Sequence, residues 1–168
     1  MGTSKHLYIL RHAKSGWDDP GRSDRDRSLT IRGIKDIQLM GKTFREELHE
    51  IEQILTSHAN RAVHTAILLA TSANLPLDRI RITDKLYEAE ESQVLKVIRR
   101  LPDDYSHVMI VGHNPSFSMV ASEFIPDLSA DIPTSALVRV RFKAQQWSDV
   151  SAGDVEWSAF DCPKKFKE

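Results

Sequence analysis

Two arginines and two histidines stand where apolar runs of this chain give way to polar residues. Leu7-Tyr8-Ile9-Leu10 ends at Arg11-His12, and Val108-Met109-Ile110-Val111 ends at Gly112-His113. Between them, Gln53-Ile54-Leu55-Thr56 passes through a polar turn to Arg61. Guanidinium groups carry planar, paired donors that match phosphate oxygens. Two of them with two imidazoles in one cleft complement a tetrahedral phosphoryl group. A neutral imidazole at His12 can attack phosphorus and hold the phosphoryl covalently, which splits one hard displacement into two easier ones. His113 can stabilise the equatorial oxygens of the transition state. Such a site needs no metal and no cofactor, because arginines neutralise the charge. Taken singly, each residue has a plainer reading: a lone histidine is usually structural, and Arg61 is an ordinary solvated arginine at a helix start. The shared position at strand ends is what sets these four apart from His6, His49, His58, His64 and His107.

For the four to meet, their strands must end on one edge of a sheet, as they do when strands run parallel. The rest of the chain supplies the connecting helices. Thr30 can cap a helix over residues 31–48, whose Ile31, Ile34, Ile37, Met40, Phe44 and Leu48 recur at helical spacing. A second helix covers residues 62–70, and a third residues 91–100. Asn114, with Pro115 at the first helical position, opens a fourth that runs to Phe124. Arg79 to Thr83 reads as a short edge strand, and residues 136–142 and 155–160 as two further strands. Alternating strands and helices predict an α/β fold, a three-layer α/β/α sandwich with a mostly parallel central sheet. Residues 13–29 form a long polar loop directly after His12, and a loop of that length in a compact domain is usually functional.

The chain has 168 residues, enough for one domain over residues 1–162, with 163–168 expected to be a mobile tail. Hydrophobic residues make up 40% and the formal net charge is −1, so no global basic field argues for nucleic acid or a membrane surface. No apolar run is long enough to span a bilayer, and the start lacks the hydrophobic core of a signal peptide. The single cysteine, Cys162, cannot form an internal disulfide. A cytoplasmic location is the expectation.

The motifs carrying these residues resemble those of the histidine phosphatase superfamily, whose fold is phosphoglycerate mutase-like, and within it the small SixA-type phosphohistidine phosphatases. Arg11-His12-Ala13 stands at the superfamily's Arg-His-Gly motif, and Leu10 to Pro20 resembles the SixA-like branch closely. Asp26-Arg27-Ser28-Leu29-Thr30-Ile31-Arg32-Gly33 matches that branch's Asp-Arg-x-Leu-Thr-x-Arg-Gly segment. Arg61 takes the second-arginine position, Val111-Gly112-His113-Asn114-Pro115 matches the second-histidine motif, and Pro133-Thr134-Ser135-Ala136 extends the likeness. The resemblance implies His12 as nucleophile, with Arg11, Arg61 and His113 forming the phosphate pocket. It adds Glu88 as the proton donor, in competition with Asp18, and Ser15 and Asp18 as substrate-binding residues. Ala13 departs from the motif glycine. Asp18 departs too, standing where many relatives have an asparagine. The expected substrate is a phosphohistidine carried by another protein. The alternatives are a small phosphomonoester handled by the same site, or a non-catalytic module that binds phosphorylated partners. Trp17 is expected either on the rim of the cleft or packed within its own loop.

Overall fold

The computed structural model describes residues 4–17, 19–128 and 131–167. Six strands, β1 (Lys5–Arg11), β2 (Gln53–Ser57), β3 (Ile80–Thr83), β4 (His107–Gly112), β5 (Leu137–Phe142) and β6 (Val155–Asp161), form one mixed sheet in the order β3-β2-β4-β1-β5-β6. The pairings β1–β4, β2–β4 and β2–β3 are parallel, whereas β5 runs antiparallel to both β1 and β6. The carboxyl ends of β1, β2 and β4 therefore share one edge, as the strand-end residues require. Five helices cover the faces: α1 (Ile31–Thr43), α2 (Arg45–Leu48), α3 (Asn60–Ser72), α4 (Glu91–Arg99) and α5 (Ser116–Phe124).

Alternation along the central strands divides the core in two. Leu7 and Ile9, with Val108 and Ile110, pack under Val94 and Ile98 of α4 and Phe117, Val120 and Phe124 of α5. Tyr8 and Leu10, with Met109 and Val111, pack under Ile37 and Met40 of α1 and Ala66 and Leu69 of α3. Burial on both faces explains why β1 and β4 read as continuous apolar runs without polar alternation. The fold is the expected three-layer sandwich, with a parallel core and an antiparallel flank. Among the described residues, no helix is long and apolar enough to cross a membrane.

Three features of the helices differ from the sequence expectation. The helix expected over 31–48 breaks at Phe44 (φ −104°, ψ 17°), and α2 is a separate single turn. Ile31, expected on the apolar face, is 74% exposed at the first position of α1. Thr30 caps α1 as expected, accepting from Gly33 N at 3.0 Å. Helix α5 begins at Ser116 with Pro115 in the cap position, yet Asn114 still serves the turn, its Oδ1 accepting from Ser118 N and Ser118 Oγ. The last segment, read from sequence as a mobile tail, lies against the domain. Pro163–Phe166 form a 3-10 turn, Phe166 meets Phe44 edge-on at 5.4 Å, and Lys167 Nζ reaches Asp36 at 2.7 Å.

Candidate active site

The carboxyl edge of the sheet is held by backbone groups that the strands leave unpaired. His12 N donates to Gly112 O at 3.0 Å, which prolongs the β1–β4 pairing past the last strand residue. Ala13 N donates to Thr65 Oγ1 at 2.9 Å, and that hydroxyl donates to Arg61 O at 2.6 Å. One threonine thus ties the residue after the expected nucleophile to the first turn of α3. Ser135 N donates to both Arg11 O and His12 O at 3.2 Å. Two glycines let neighbouring elements close in. A Cβ on Gly112 would lie 2.5 Å from the Phe117 ring, and one on Gly33 would lie 2.3 Å from Lys14 O. The first keeps β4 against α5, and the second seats α1 on the chain leaving His12.

The loop over residues 13–29 is closed at its neck. Thr30 N donates to Lys14 O and Gly16 N to Ser28 O, and Ser15 bridges Leu29 in antiparallel fashion. Its far side carries a 3-10 turn, Asp24–Asp26, that reaches α3.

His12, Arg11, Arg61 and His113 converge on a cavity of about 300 Å³, which Lys14, Ser15, Trp17, Arg27, Asn114 and Thr134 also line. Among the described residues, none of those lining the cavity is a carboxylate. The rings of His12 and His113 are 5.1 Å apart and tilted by 52°. His12 is 7% exposed, and its Nδ1 lies 2.7 Å from Ala13 O. A carbonyl can only accept, so Nδ1 carries the hydrogen and Nε2 keeps its lone pair. Burial lowers the His12 pKa to about 4, and the charges of Arg61 and Arg11 act in the same direction against the Ala13 hydrogen bond. The ring is therefore neutral and nucleophilic at pH 7. Burial and the neighbouring His12 lower His113 to about 3.

Each of the other three groups spends part of its hydrogen-bonding capacity on the protein and keeps part in reserve. Arg11 Nη1 donates to Ile132 O at 2.8 Å. Arg61 Nη1 donates to Asp24 O at 2.7 Å, and its Nη2 donates to Asp24 Oδ2 at 3.2 Å. His113 Nε2 lies 2.8 Å from Ser57 Oγ at the end of β2. The Nε of both arginines and Nδ1 of His113 are buried without a partner among the described residues. Buried polar nitrogens normally have partners. Around a cavity lined by cations, the two guanidinium nitrogens can donate to an incoming anion, and His113 Nδ1 can do so in the tautomer whose Nε2 accepts from Ser57 Oγ. The donor set suits a phosphoryl group better than a metal ion, since guanidinium nitrogens are not ligands. Among the described residues, no cluster of three His, Cys, Asp or Glu side chains could hold a metal.

The remaining sequence-based assignments fall in different places. Ser15 lines the cavity. Glu88 does not line it. It sits in a left-handed turn (φ 52°) on the wall of an adjoining groove that shares His113 and Asn114 with the cavity. Asp18 lies outside the described residues. Trp17 is on the rim, 72% exposed, with the Arg27 guanidinium 3.5 Å from its ring centroid. Arg27 is one of two cavity cations, with Lys14, that sequence reasoning passed over. It appeared within a matched motif but received no role, although its place two residues before the Leu-Thr that opens α1 was the available signal.

Comparisons with known proteins bear on the family and the fold. Residues 7–91 match the Histidine phosphatase superfamily (branch 1). An uncharacterized protein of Mycobacterium tuberculosis is 32% identical over 165 residues, covering 92% of this chain and all of that protein. The phosphohistidine phosphatase SixA of Escherichia coli is 24% identical over 161 residues, covering 95% of this chain and 96% of that protein. Among solved structures, protein histidine phosphatase SixA complexed with tungstate superposes with a TM-score of 0.76 at 22% identity, covering 96% of this chain and 99% of the other. The alpha-ribazole phosphatase of Shigella flexneri shares the fold at a TM-score of 0.63 and 18% identity, covering 84% of this chain and 92% of the other. The chain therefore belongs to the histidine phosphatase superfamily, as a phosphatase built on the fold that SixA also has.

Proposed function

We propose that this protein dephosphorylates phosphohistidine on another protein, through a covalent phosphohistidine of its own at His12 Nε2 and without requiring a metal. The observation that carries the reading is the tautomer of His12. With Nδ1–H donated to Ala13 O, the Nε2 lone pair belongs to a neutral ring beside the donors of Arg11, Arg61 and His113. In the first step Nε2 attacks phosphorus, the P–Nε2 bond forms, and the bond to the leaving group breaks. In the second, water attacks the phosphoenzyme, inorganic phosphate leaves and His12 is restored. The arginines and His113 hold the three equatorial oxygens throughout, and their stabilisation is largest as charge spreads in the transition state.

The substrate class follows from the leaving group and from access. A phosphorylated imidazole departs far more readily than an alkoxide, so it needs less help from an acid. Glu88 is assigned as the donor where one is needed, from its groove beside His113. The cavity adjoins that groove across His113 and Asn114 and has the exposed Trp17 on its rim, which suits a phosphorylated side chain presented by a protein. A cytoplasmic setting goes with this reading, in keeping with the single free cysteine, Cys162.

The test is a phosphoenzyme trap. Incubation with a labelled phosphohistidine peptide should give a phosphoenzyme that is stable in base and labile in acid, and His12→Ala should abolish it together with turnover. Phosphate release that survives His12→Ala would overturn the mechanism. A panel of sugar and nucleotide phosphates turned over faster than the peptide would overturn the substrate class, and activity lost to a chelator would overturn metal independence. Phosphopeptide binding with no turnover at all would leave a binding module in its place.

A further inference from the structure

Arg61 and Arg27 are both nearly buried, their side chains 7% and 11% exposed, and both line the cavity. Two guanidiniums this close repel each other, and the charge of Arg61 helps to lower the Arg27 pKa. The residue that touches both is Asp24, on the turn of the 13–29 loop. Its Oδ2 accepts from Arg61 Nη2 at 3.2 Å and from Tyr87 Oη at 2.8 Å. Its Oδ1 accepts from Arg27 Nε at 3.2 Å, and its backbone oxygen accepts from Arg61 Nη1 at 2.7 Å.

We propose that Asp24 is a positioning residue for the phosphoryl pocket, holding one edge of each guanidinium so that the other edge is offered to the anion. The edges divide cleanly. On Arg61, Asp24 occupies the Nη1–Nη2 end and leaves Nε, which is buried and unpaired. On Arg27, Asp24 occupies Nε, and no hydrogen bond engages either Nη among the described residues. A guanidinium has five N–H donors, so each can still grip an oxyanion after this sharing. Trp17 stacked on Arg27 and Tyr87 bonded to Asp24 then fix the assembly from its two outer sides. Asp24 is itself partly exposed, and the slight desolvation it suffers raises its pKa. The Tyr87 hydrogen bond and the charge of Arg61 outweigh that and hold its carboxyl below the ordinary range. The clamp is therefore charged at neutral pH.

The inference rests on reading the cavity as a phosphoryl site, and it is tested by binding without turnover. The probe is inorganic phosphate, with its dissociation constant measured by calorimetry and by competition. Asp24→Ala should weaken phosphate about tenfold, Asp24→Asn by less, and both should raise KM more than they lower kcat, since His12 is untouched. In an Arg27→Ala background, Asp24→Ala should cost clearly less than in the parent, because part of what Asp24 positions has gone. Equal losses in the two backgrounds would overturn the proposal, as would phosphate binding that is unchanged or tighter in Asp24→Ala. Asp24→Asn, with the same shape, guards against a misfolded alanine variant, and thermal midpoints of both should stay near the parent. A parent that binds phosphate in an Asp24-dependent way but hydrolyses nothing would uphold the clamp and refute the phosphatase. A parent that hydrolyses but ignores Asp24 would do the reverse.

Discussion

At the carboxyl edge of the sheet, His12 and His113 sit 5.1 Å apart beside three arginines. At the opposite edge, His6 and His107 stack at 4.0 Å beside Arg139 and Arg141. The two clefts have similar volumes, about 300 and 350 Å³. What separates them is how the charge is balanced. Arg139 spends both Nη groups on carboxylates, one on Glu47 and the other on Asp161 at 2.6 Å, and it packs between Phe44 and Trp157. Among the described residues, Arg11 donates only to the carbonyl of Ile132, and none of those lining its cavity is a carboxylate. A pair of histidines among arginines therefore does not by itself mark a site. Cations that the protein pairs on one edge only do, because an incoming anion can still gain interactions of the kind that Glu47 and Asp161 have already taken from both Nη groups at the other end.

The sharpest way to break this comparison is to remove one arginine from each end. Arg61→Ala should lower kcat/KM by about 10²- to 10³-fold, the scale of losing one donor to a transition-state oxyanion. Its thermal midpoint should move little, because Asp24 is 44% exposed and water replaces the lost partner. Arg139→Met should do the opposite. It leaves Asp161, only 18% exposed, without its main partner and should cost about 2 kcal/mol in a urea titration. Its kcat/KM should stay within about twofold of the parent. If Arg139→Met loses activity as Arg61→Ala does, the two clefts are coupled and the distinction drawn from charge balance fails.

The same contrast shows what the sequence could tell. Arg11, His12 and His113 were legible because each ends a strand that is buried on both faces, and a continuous apolar run that stops at a polar residue is visible in one dimension. Arg61 was legible only through its junction, since a single arginine at a helix start carries no pattern. Asp24 and Arg27 were not given roles. Their partner Arg61 is 37 residues from Asp24, on another element, and the loop between has no periodicity that would predict which side chain turns inward. Among the elements, the break at Phe44 was hidden because Leu48 keeps the helical spacing after the chain has left the helix. Glu88 shows the limit in the other direction. Its motif position was readable, but the left-handed turn that sets it in the adjoining groove was not.

A smaller effect separates the two ends by pH. Burial lowers His12 and His6 to about 4 and His113 to about 3, with His107 also shifted down. In the unfolded chain these rings titrate near their ordinary value of about 6.5. Above that pH neither state holds the extra protons, so this contribution to stability is fully present. As pH falls from about 6.5 towards 4, the unfolded chain takes up protons that the native rings refuse, and stability is lost. For a ring as buried as His12 the loss is on the order of 2–3 kcal/mol across that window, whereas the less buried His6 and His107 are screened and contribute less. The two ends can then be told apart by substitution. His107→Phe keeps a stacking partner for His6 and removes one titrating ring and its repulsion. It should flatten the fall in thermal midpoint between pH 7.5 and pH 5 and leave kcat/KM unchanged. His113→Phe should flatten the same curve more, because its ring is buried more deeply, and should abolish the anion affinity that the cavity provides. A His107→Phe variant whose acid sensitivity matches the parent would show that His107 has no share in the pH response and serves the stacked pair as a packing contact alone.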